Sequence, residues 1–136
     1  MSSSFSNKEN ESSNPREFTI ANDKLFFEAS NNTFEGGIWV SDGTRDGTFN
    51  IAIVSLQGEG FGEILAVDDK IFFQTIPGRA GGGRISVSDG TQTGTFSISN
   101  LFSPISRPNF ITTLDNKLLL RIGKSDIGKE LWISDG

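Results

Sequence analysis

The stretch IWVSDGTRDGTF (residues 38–49) is the most informative segment of the sequence, because the chain repeats it. It recurs as ISVSDGTQTGTF at residues 85–96 and begins again as LWISDG at residues 131–136. The Ser-Asp-Gly triplets start at 41, 88 and 134, at intervals of 47 and 46 residues. A long motif that returns at a fixed interval is the sequence signature of a tandem structural repeat.

A second marker keeps the same period. The segments DKLFF (23–27), DKIFF (69–73) and NKLLL (116–120) place a lysine once per repeat, at 24, 70 and 117. The two markers predict the following division of the chain: a polar tail or latch strand at 1–11, a first repeat at 12–57, a second at 58–104, and a third at 105–136 that lacks its fourth strand. The tail is a latch candidate because SFS (4–6) resembles TFS (95–97).

Each complete repeat is predicted to contain four short strands. Asn-Asp, Asp-Asp or Asp-Asn pairs separate the first two strands, and these residues tolerate the left-handed backbone of a tight hairpin. The first strands are expected at 18–21, 64–67 and 111–114, the second from each repeat lysine onward, the third at 37–41, 84–88 and 130–134, and the fourth at 48–54 and 95–101.

The second strand indicates the architecture. Leu25, Phe26 and Phe27 are consecutive, so their side chains point to both faces of the sheet, and both faces must be covered. Four-stranded antiparallel repeats of about 46–47 residues that cover one another predict an all-β fold of β-propeller blades. A β-trefoil-like threefold fold, which also uses four strands per repeat, is the alternative.

Composition narrows the function classes. The chain of 136 residues has a net charge of −5 and contains neither cysteine nor histidine, so disulfides, zinc-thiolate sites and Ser-His-Asp triads are excluded. The 12 Lys and Arg residues are scattered, which predicts no nucleic-acid partner. No apolar run reaches 18 residues and the N-terminus has no signal-peptide pattern, so no membrane insertion is expected. No cofactor is predicted.

The loop between the third and fourth strands is interpreted as a structural turn motif. Its aspartate can accept hydrogen bonds from the loop backbone, its glycines allow positive φ, and its threonines can close local bonds. Calcium is the competing interpretation, with Asp42, Asp46 and Asp89 as candidate ligands, although calcium requires six to eight oxygens. The turn-motif residues are Ser41, Asp42, Gly43, Thr44, Gly47, Thr48, Ser88, Asp89, Gly90, Thr91, Gly94, Thr95, Ser134, Asp135 and Gly136.

Three further features have a functional and a structural interpretation. Asp68-Asp69 could be a catalytic pair, but the repeat alignment favours a turn. PGRAGGGR (77–84) could hold an anion between Arg79 and Arg84, but it lacks the remainder of a phosphate-binding loop. Trp39 and Trp132 are expected to pack between repeats, and the alternative is that they stack on sugars.

The chain also resembles a known family. The pattern ELWxSDG at residues 130–136, with the continuation DGTxxGT at 42–48 and 89–95, is similar to the bacterial ELWxxDGT repeat. The resemblance covers residues 12–136, although RIS (84–86) replaces the Glu-Leu-Trp of the motif in the middle copy. It implies a long tandem array in a secreted or cell-surface, hyalin-like protein.

These observations predict that the chain is a non-catalytic scaffold, adhesion or protein-interaction module of a secreted or surface bacterial protein. The expected partners are a second copy of the chain or further repeats of a longer parent chain, with carbohydrate or a surface protein as alternatives. A carbohydrate-binding, lectin-like propeller is the second hypothesis. A fragment of a propeller glycosidase is the third; its non-repeating acids would be Glu28, Glu59 and Glu63.

Overall fold

The computed structural model describes residues 12–30, 35–55, 60–76, 84–98, 107–124 and 128–134. These residues form an all-β structure, as predicted. The eleven strands are β1 (Arg16–Ala21), β2 (Lys24–Ser30), β3 (Glu35–Ser41), β4 (Phe49–Ser55), β5 (Gly60–Val67), β6 (Lys70–Ile76), β7 (Arg84–Ser88), β8 (Phe96–Ser97), β9 (Arg107–Leu114), β10 (Lys117–Lys124) and β11 (Gly128–Ser134).

The strands form three antiparallel sheets, and each sheet is built from one sequence repeat. The first has the order β1-β2-β3-β4, the second β5-β6-β7-β8, and the third β9-β10-β11. The predicted strands therefore exist and pair with the predicted neighbours. Among the described residues β8 has only two residues, whereas the prediction ran over 95–101, of which 99–101 lie outside the described part.

The hairpins between the first and second strands confirm the turn chemistry expected of Asn and Asp. Both central residues have positive φ in the first sheet (Asn22 47°, Asp23 56°) and in the third (Asp115 48°, Asn116 56°). In the second sheet only Asp68, with φ of 56°, does so. Asn and Asp reach this region more readily than other non-glycine residues, which explains the composition of the turns.

The first strand of every sheet is irregular near the same repeat position, within about one residue. Pairing with the second strand shifts between Arg16 and Thr19 in β1, and between Phe61 and Ile64 in β5. In β9 it shifts opposite Leu119 and Leu120. Each is a β-bulge, which changes the phase of the in–out alternation. The first strands therefore begin before the predicted 18, 64 and 111, because pairing resumes beyond the bulge.

The sheets stack through two apolar cores, one on each side of the second sheet. In β6, Ile71 and Phe73 point into the core shared with the first sheet, while Phe72 between them points into the core shared with the third. The two-sided covering predicted for the second strand is therefore found in β6, whereas β2 and β10 each contribute to one of the two cores only. The first core contains Ala21, Phe26, Ile38, Val40, Ile51, Phe61, Ile64, Ile71 and Phe73; the second contains Val67, Phe72, Ile85, Val87, Ile98, Leu118, Leu120 and Ile122.

Equivalent repeat positions occupy equivalent places in the two cores. We call the face of a sheet that points toward the next repeat its forward face, and the opposite one its rear face. The forward face of the first sheet contributes Ala21, Phe26, Ile38, Val40 and Ile51 to the first core. The forward face of the second sheet contributes the same repeat positions to the second core, as Val67, Phe72, Ile85, Val87 and Ile98. One mode of packing is therefore used twice.

Candidate functional site

The SDGT loops, residues 41–48 and 88–95, contain most of the candidate polar residues of the sequence. In the first loop the Gly43 amide donates to Ser41 Oγ at 3.1 Å, and Thr48 Oγ1 donates to the Thr44 carbonyl at 2.6 Å. Ser41 Oγ and Thr48 Oγ1 are 2.6 Å apart. Because the single Thr48 hydroxyl proton is already used, Ser41 is the donor in that contact.

The aspartate of the loop forms a second chain of hydrogen bonds. Asp42 Oδ1 accepts from the Thr44 amide at 2.9 Å and from Thr44 Oγ1 at 2.7 Å, and Thr44 Oγ1 in turn accepts from the Gly47 amide at 2.9 Å. The Thr44 side-chain bond, followed by the Thr44 amide bond, lowers the pKa of Asp42 below its usual value. The ionised carboxylate therefore organises its own loop.

The second loop reproduces this network. Asp89 Oδ1 accepts from the Thr91 amide at 2.9 Å and from Thr91 Oγ1 at 2.7 Å, and the same two bonds lower the pKa of Asp89. Ser88 Oγ lies 2.7 Å from Thr95 Oγ1, which donates to the Thr91 carbonyl at 2.5 Å. The repeated network supports the interpretation of both segments as structural turns.

The loop glycines are required for two different reasons. Gly43 and Gly90 both have φ of 89°, a conformation that L side chains rarely adopt. Gly47 and Gly94 lie beneath the aspartates: a methyl group on Gly47 would stand 2.0 Å from Asp42 Oδ1, and one on Gly94 would stand 2.1 Å from Asp89 Oδ1. The carboxylate fits its loop only because these positions have no side chain.

Replacing Gly94 with alanine should displace the Asp89 carboxylate and break both bonds to Thr91. We expect Gly94→Ala to lower the free energy of unfolding by about 1–3 kcal/mol, the usual cost of overpacking. Gly60→Ala is the matched control, because a methyl group there meets nothing within 4 Å. Urea denaturation followed by circular dichroism measures both. Equal midpoints for the two variants would contradict the close contact.

The candidate calcium ligands do not come together as a cluster of acids. Within the described ranges, no three His, Cys, Asp or Glu side chains are placed to share a metal ion. Asp42 and Asp89 each use Oδ1 within the loop, and Asp46 is exposed. The loops therefore contain oxygen atoms of the kind that calcium binds, but only a few of these are carboxylate oxygens.

The remaining sequence candidates are dispersed. Asp68 and Asp69 form the β5–β6 turn, and both are exposed. Arg84 begins β7 and is exposed, whereas Arg79 lies outside the described residues, as do Glu59 and the predicted latch at 1–11. Ser134 ends β11, and Asp135 and Gly136 lie beyond the described part.

The two tryptophans occupy different settings. Trp39 is half-buried on the rear face of the first sheet, where it stacks on Phe27 with ring centroids 6.5 Å apart. Phe18 stacks on the other side of Phe27 at 6.0 Å. Trp132 lies on β11 opposite Leu120 and is 38% exposed. Neither ring is fully enclosed between two sheets.

Two residues have roles that the sequence did not reveal. Glu28 is buried, and Arg16 Nη2 donates to its Oε1 at 2.6 Å. Lys24 begins β2 and is only partly exposed. It contacts the second SDGT loop, where a methyl group on Gly90 would lie 3.4 Å from Lys24 Nζ. No repeat pattern signals either contact, because both link non-equivalent positions.

Comparison with known proteins gives no match. No family model, no curated protein and no solved structure matches the chain. Within the described segments, no helix has the length and apolar character needed to cross a membrane.

Proposed function

We propose that the chain is a β-propeller-type repeat module of the ELWxxDGT kind, which serves as a non-catalytic scaffold or adhesion module in a secreted or surface bacterial protein. The observation that carries this proposal is how the SDGT loops use their polar groups. In both loops the aspartate, serine and threonine side chains bond to the loop itself, so the most repeated polar residues have a structural role that accounts for them.

The stacking of the sheets supports the propeller over the trefoil. Each sheet is formed by a single repeat, and β1 packs against β5 as β5 packs against β9. First strands that lie side by side, with whole four-stranded sheets packed face to face, are the arrangement of propeller blades. A trefoil would instead share strands from all three repeats in one barrel.

Adding calcium tests whether the SDGT loops bind a metal ion or have only a structural role. We expect the melting temperature of the chain to be the same in millimolar calcium and in a chelator, because the loop oxygens already bond to one another. A bound ion at 100 times its Kd would instead stabilise the fold by about 2.7 kcal/mol. A calcium-dependent rise that Asp42→Asn and Asp89→Asn both reduce would contradict the scaffold role. Asp69→Asn, in a turn outside the loops, is the control.

A carbohydrate-binding module is the second candidate, and the exposure of Trp132 favours it. A partly open indole at the start of an SDG motif offers a flat apolar surface, which is how aromatic side chains present themselves at wet interfaces. A glycan array tests this directly. Binding that Trp132→Ala abolishes and Phe96→Ala preserves would establish it over the scaffold role, and an array without signal at high protein concentration would reject it.

A further inference from the structure

The exposed apolar residues of the chain are concentrated on two faces. The large hydrophobic side chains that the described structure leaves exposed include Leu114, Leu131 and Ile133 in the third sheet, and Phe18 and Ile20 in the first. The first three lie on the forward face of the third sheet, and the other two on the rear face of the first. These are the two outer faces of the stack.

Each exposed residue on the third sheet has buried counterparts at the same repeat position. Ile133 is 61% exposed, whereas Val40 and Val87, its equivalents, are 1% and 3% exposed. Leu131 is 61% exposed, and its equivalents Ile38 and Ile85 are both at 0%. Leu114 likewise corresponds to Ala21 and Val67, which are buried in the two cores. The forward face of the third sheet therefore has the apolar residues of a packing surface, with the exposed Arg121 beside Leu131 at the repeat position of Glu28, and none of the described segments covers it.

The rear face of the first sheet is the complementary surface. Phe18 is 60% exposed, and its equivalent Ile64 is 4% exposed in the first core. Ile20 is 71% exposed, and its equivalent Ala66 packs against the same core. The surface that buries a forward face within the chain is thus repeated at the front of the stack, where Phe18 and Ile20 are exposed although Phe27 beside them is buried.

One hydrogen bond and one close packing contact of the first interface also have counterpart positions on the outer faces. Thr19 Oγ1 donates to the Ile64 carbonyl across the first interface at 3.0 Å. Thr112 is the equivalent of Thr19 in the third sheet, and Phe18 is the equivalent of Ile64 in the first sheet. The matching bond between these two outer faces would therefore join the Thr112 hydroxyl to the Phe18 carbonyl. Gly90 is buried against Phe26 and Lys24 of the preceding sheet, whereas a methyl group on its equivalent, Gly43, would meet nothing within 4 Å.

We propose that a second copy of the chain covers both faces, with the forward face of the third sheet of each copy packed on the rear face of the first sheet of the other. This inference uses the stacking that supports the proposed propeller. Two head-to-tail contacts between two copies close a ring with twofold symmetry. The ring contains six sheets, within the range of roughly four to eight that closed propellers use.

Solution mass tests this association. In sedimentation equilibrium at about 100 µM chain, where even a micromolar Kd leaves most chains paired, we expect a mass of twice 14.7 kDa. Ile133→Lys and Ile20→Lys should each raise the Kd by about 100-fold or more, because each places an unpaired ammonium in the interface. Both residues are exposed in the single chain, so both variants should keep the circular dichroism melt of a folded protein.

Mixing the two variants distinguishes a head-to-tail contact from a symmetric one. Ile133→Lys retains an intact rear face and Ile20→Lys an intact forward face, so the mixture should form a heterodimer through one undamaged interface. Phe96→Lys, at an exposed position of the second sheet, should keep the wild-type mass. A monomeric wild-type chain, as expected if further repeats of a longer chain cover these faces, would overturn the proposal, and so would larger assemblies or a mixture that stays monomeric. None of these outcomes bears on the calcium and glycan tests.

Discussion

Phe72→Ala is expected to lower the free energy of unfolding by about 3–5 kcal/mol, the range observed when a buried phenylalanine is truncated in a packed core. Phe72 is completely buried in the core between the second and third sheets. Its truncation leaves a cavity that β6 cannot close by moving, because β6 is paired with β5 on one side and with β7 on the other. Marginal stabilities of about 5–15 kcal/mol make this a loss of a large part of the total.

Urea denaturation in the Ile133→Lys background measures this loss without a contribution from association. Phe96→Ala is the matched control, because Phe96 is mostly exposed and its removal should cost about 0.5 kcal/mol or less. Phe72→Leu should stay folded and lose less than about 1.5 kcal/mol, so the position can be assessed even if the alanine variant does not fold. Equal midpoints for Phe72→Ala and Phe96→Ala would contradict the two-sided packing of β6.

Arg16→Met is expected to destabilise the chain by about 2 kcal/mol, below the roughly 3–5 kcal/mol of a fully buried pair because Arg16 remains half exposed. The cost arises because Glu28 is buried and would lose its cation. Its Oε2 atom already has no hydrogen-bond partner. The variant therefore leaves a carboxylate in the apolar interior with neither oxygen bonded to a charged group.

The double variant Arg16→Met, Glu28→Leu distinguishes the effect of the two charges from the effect of side-chain packing. Replacing both charges with apolar side chains should recover most of the stability that Arg16→Met loses, because an apolar pair carries no desolvation cost. Thermal melts of the wild type, both single variants and the double variant form a complete double-mutant cycle. A double variant as unstable as Arg16→Met would show that packing of the arginine stem, rather than charge, is what matters.

Features that depend on the repeat could be predicted from the sequence. The strand order within each sheet, the Asn and Asp turns, and the two-sided burial around Phe72 all follow from local patterns that recur three times. A recurring residue type at a fixed interval constrains a backbone position and its exposure. The SDGT loops belong to this class, since what their copies share are the residues whose hydrogen bonds close the turn.

Features that depend on a single close approach could not be predicted. The sequence shows that residue 47 is a glycine, but only the folded loop shows that the Asp42 carboxylate lies against it. The bulge near Glu17, whose φ is 55°, has no turn residue to announce it. The other repeats have no such pair of residues at the positions of Arg16 and Glu28, so comparing the repeats gives no indication of this contact.

The equivalence of the two cores has a consequence for how such a chain can change length. Ala21, Ile38 and Val40 pack in the first core as Val67, Ile85 and Val87 pack in the second. Both interfaces between neighbouring sheets therefore join a forward face to a rear face of the same kind. Unequal recombination between two repeats would add or remove one whole sheet together with both of its surfaces. The new interface would match as the old ones did, so the gene can gain or lose segments of 46 or 47 codons without a mismatched interface.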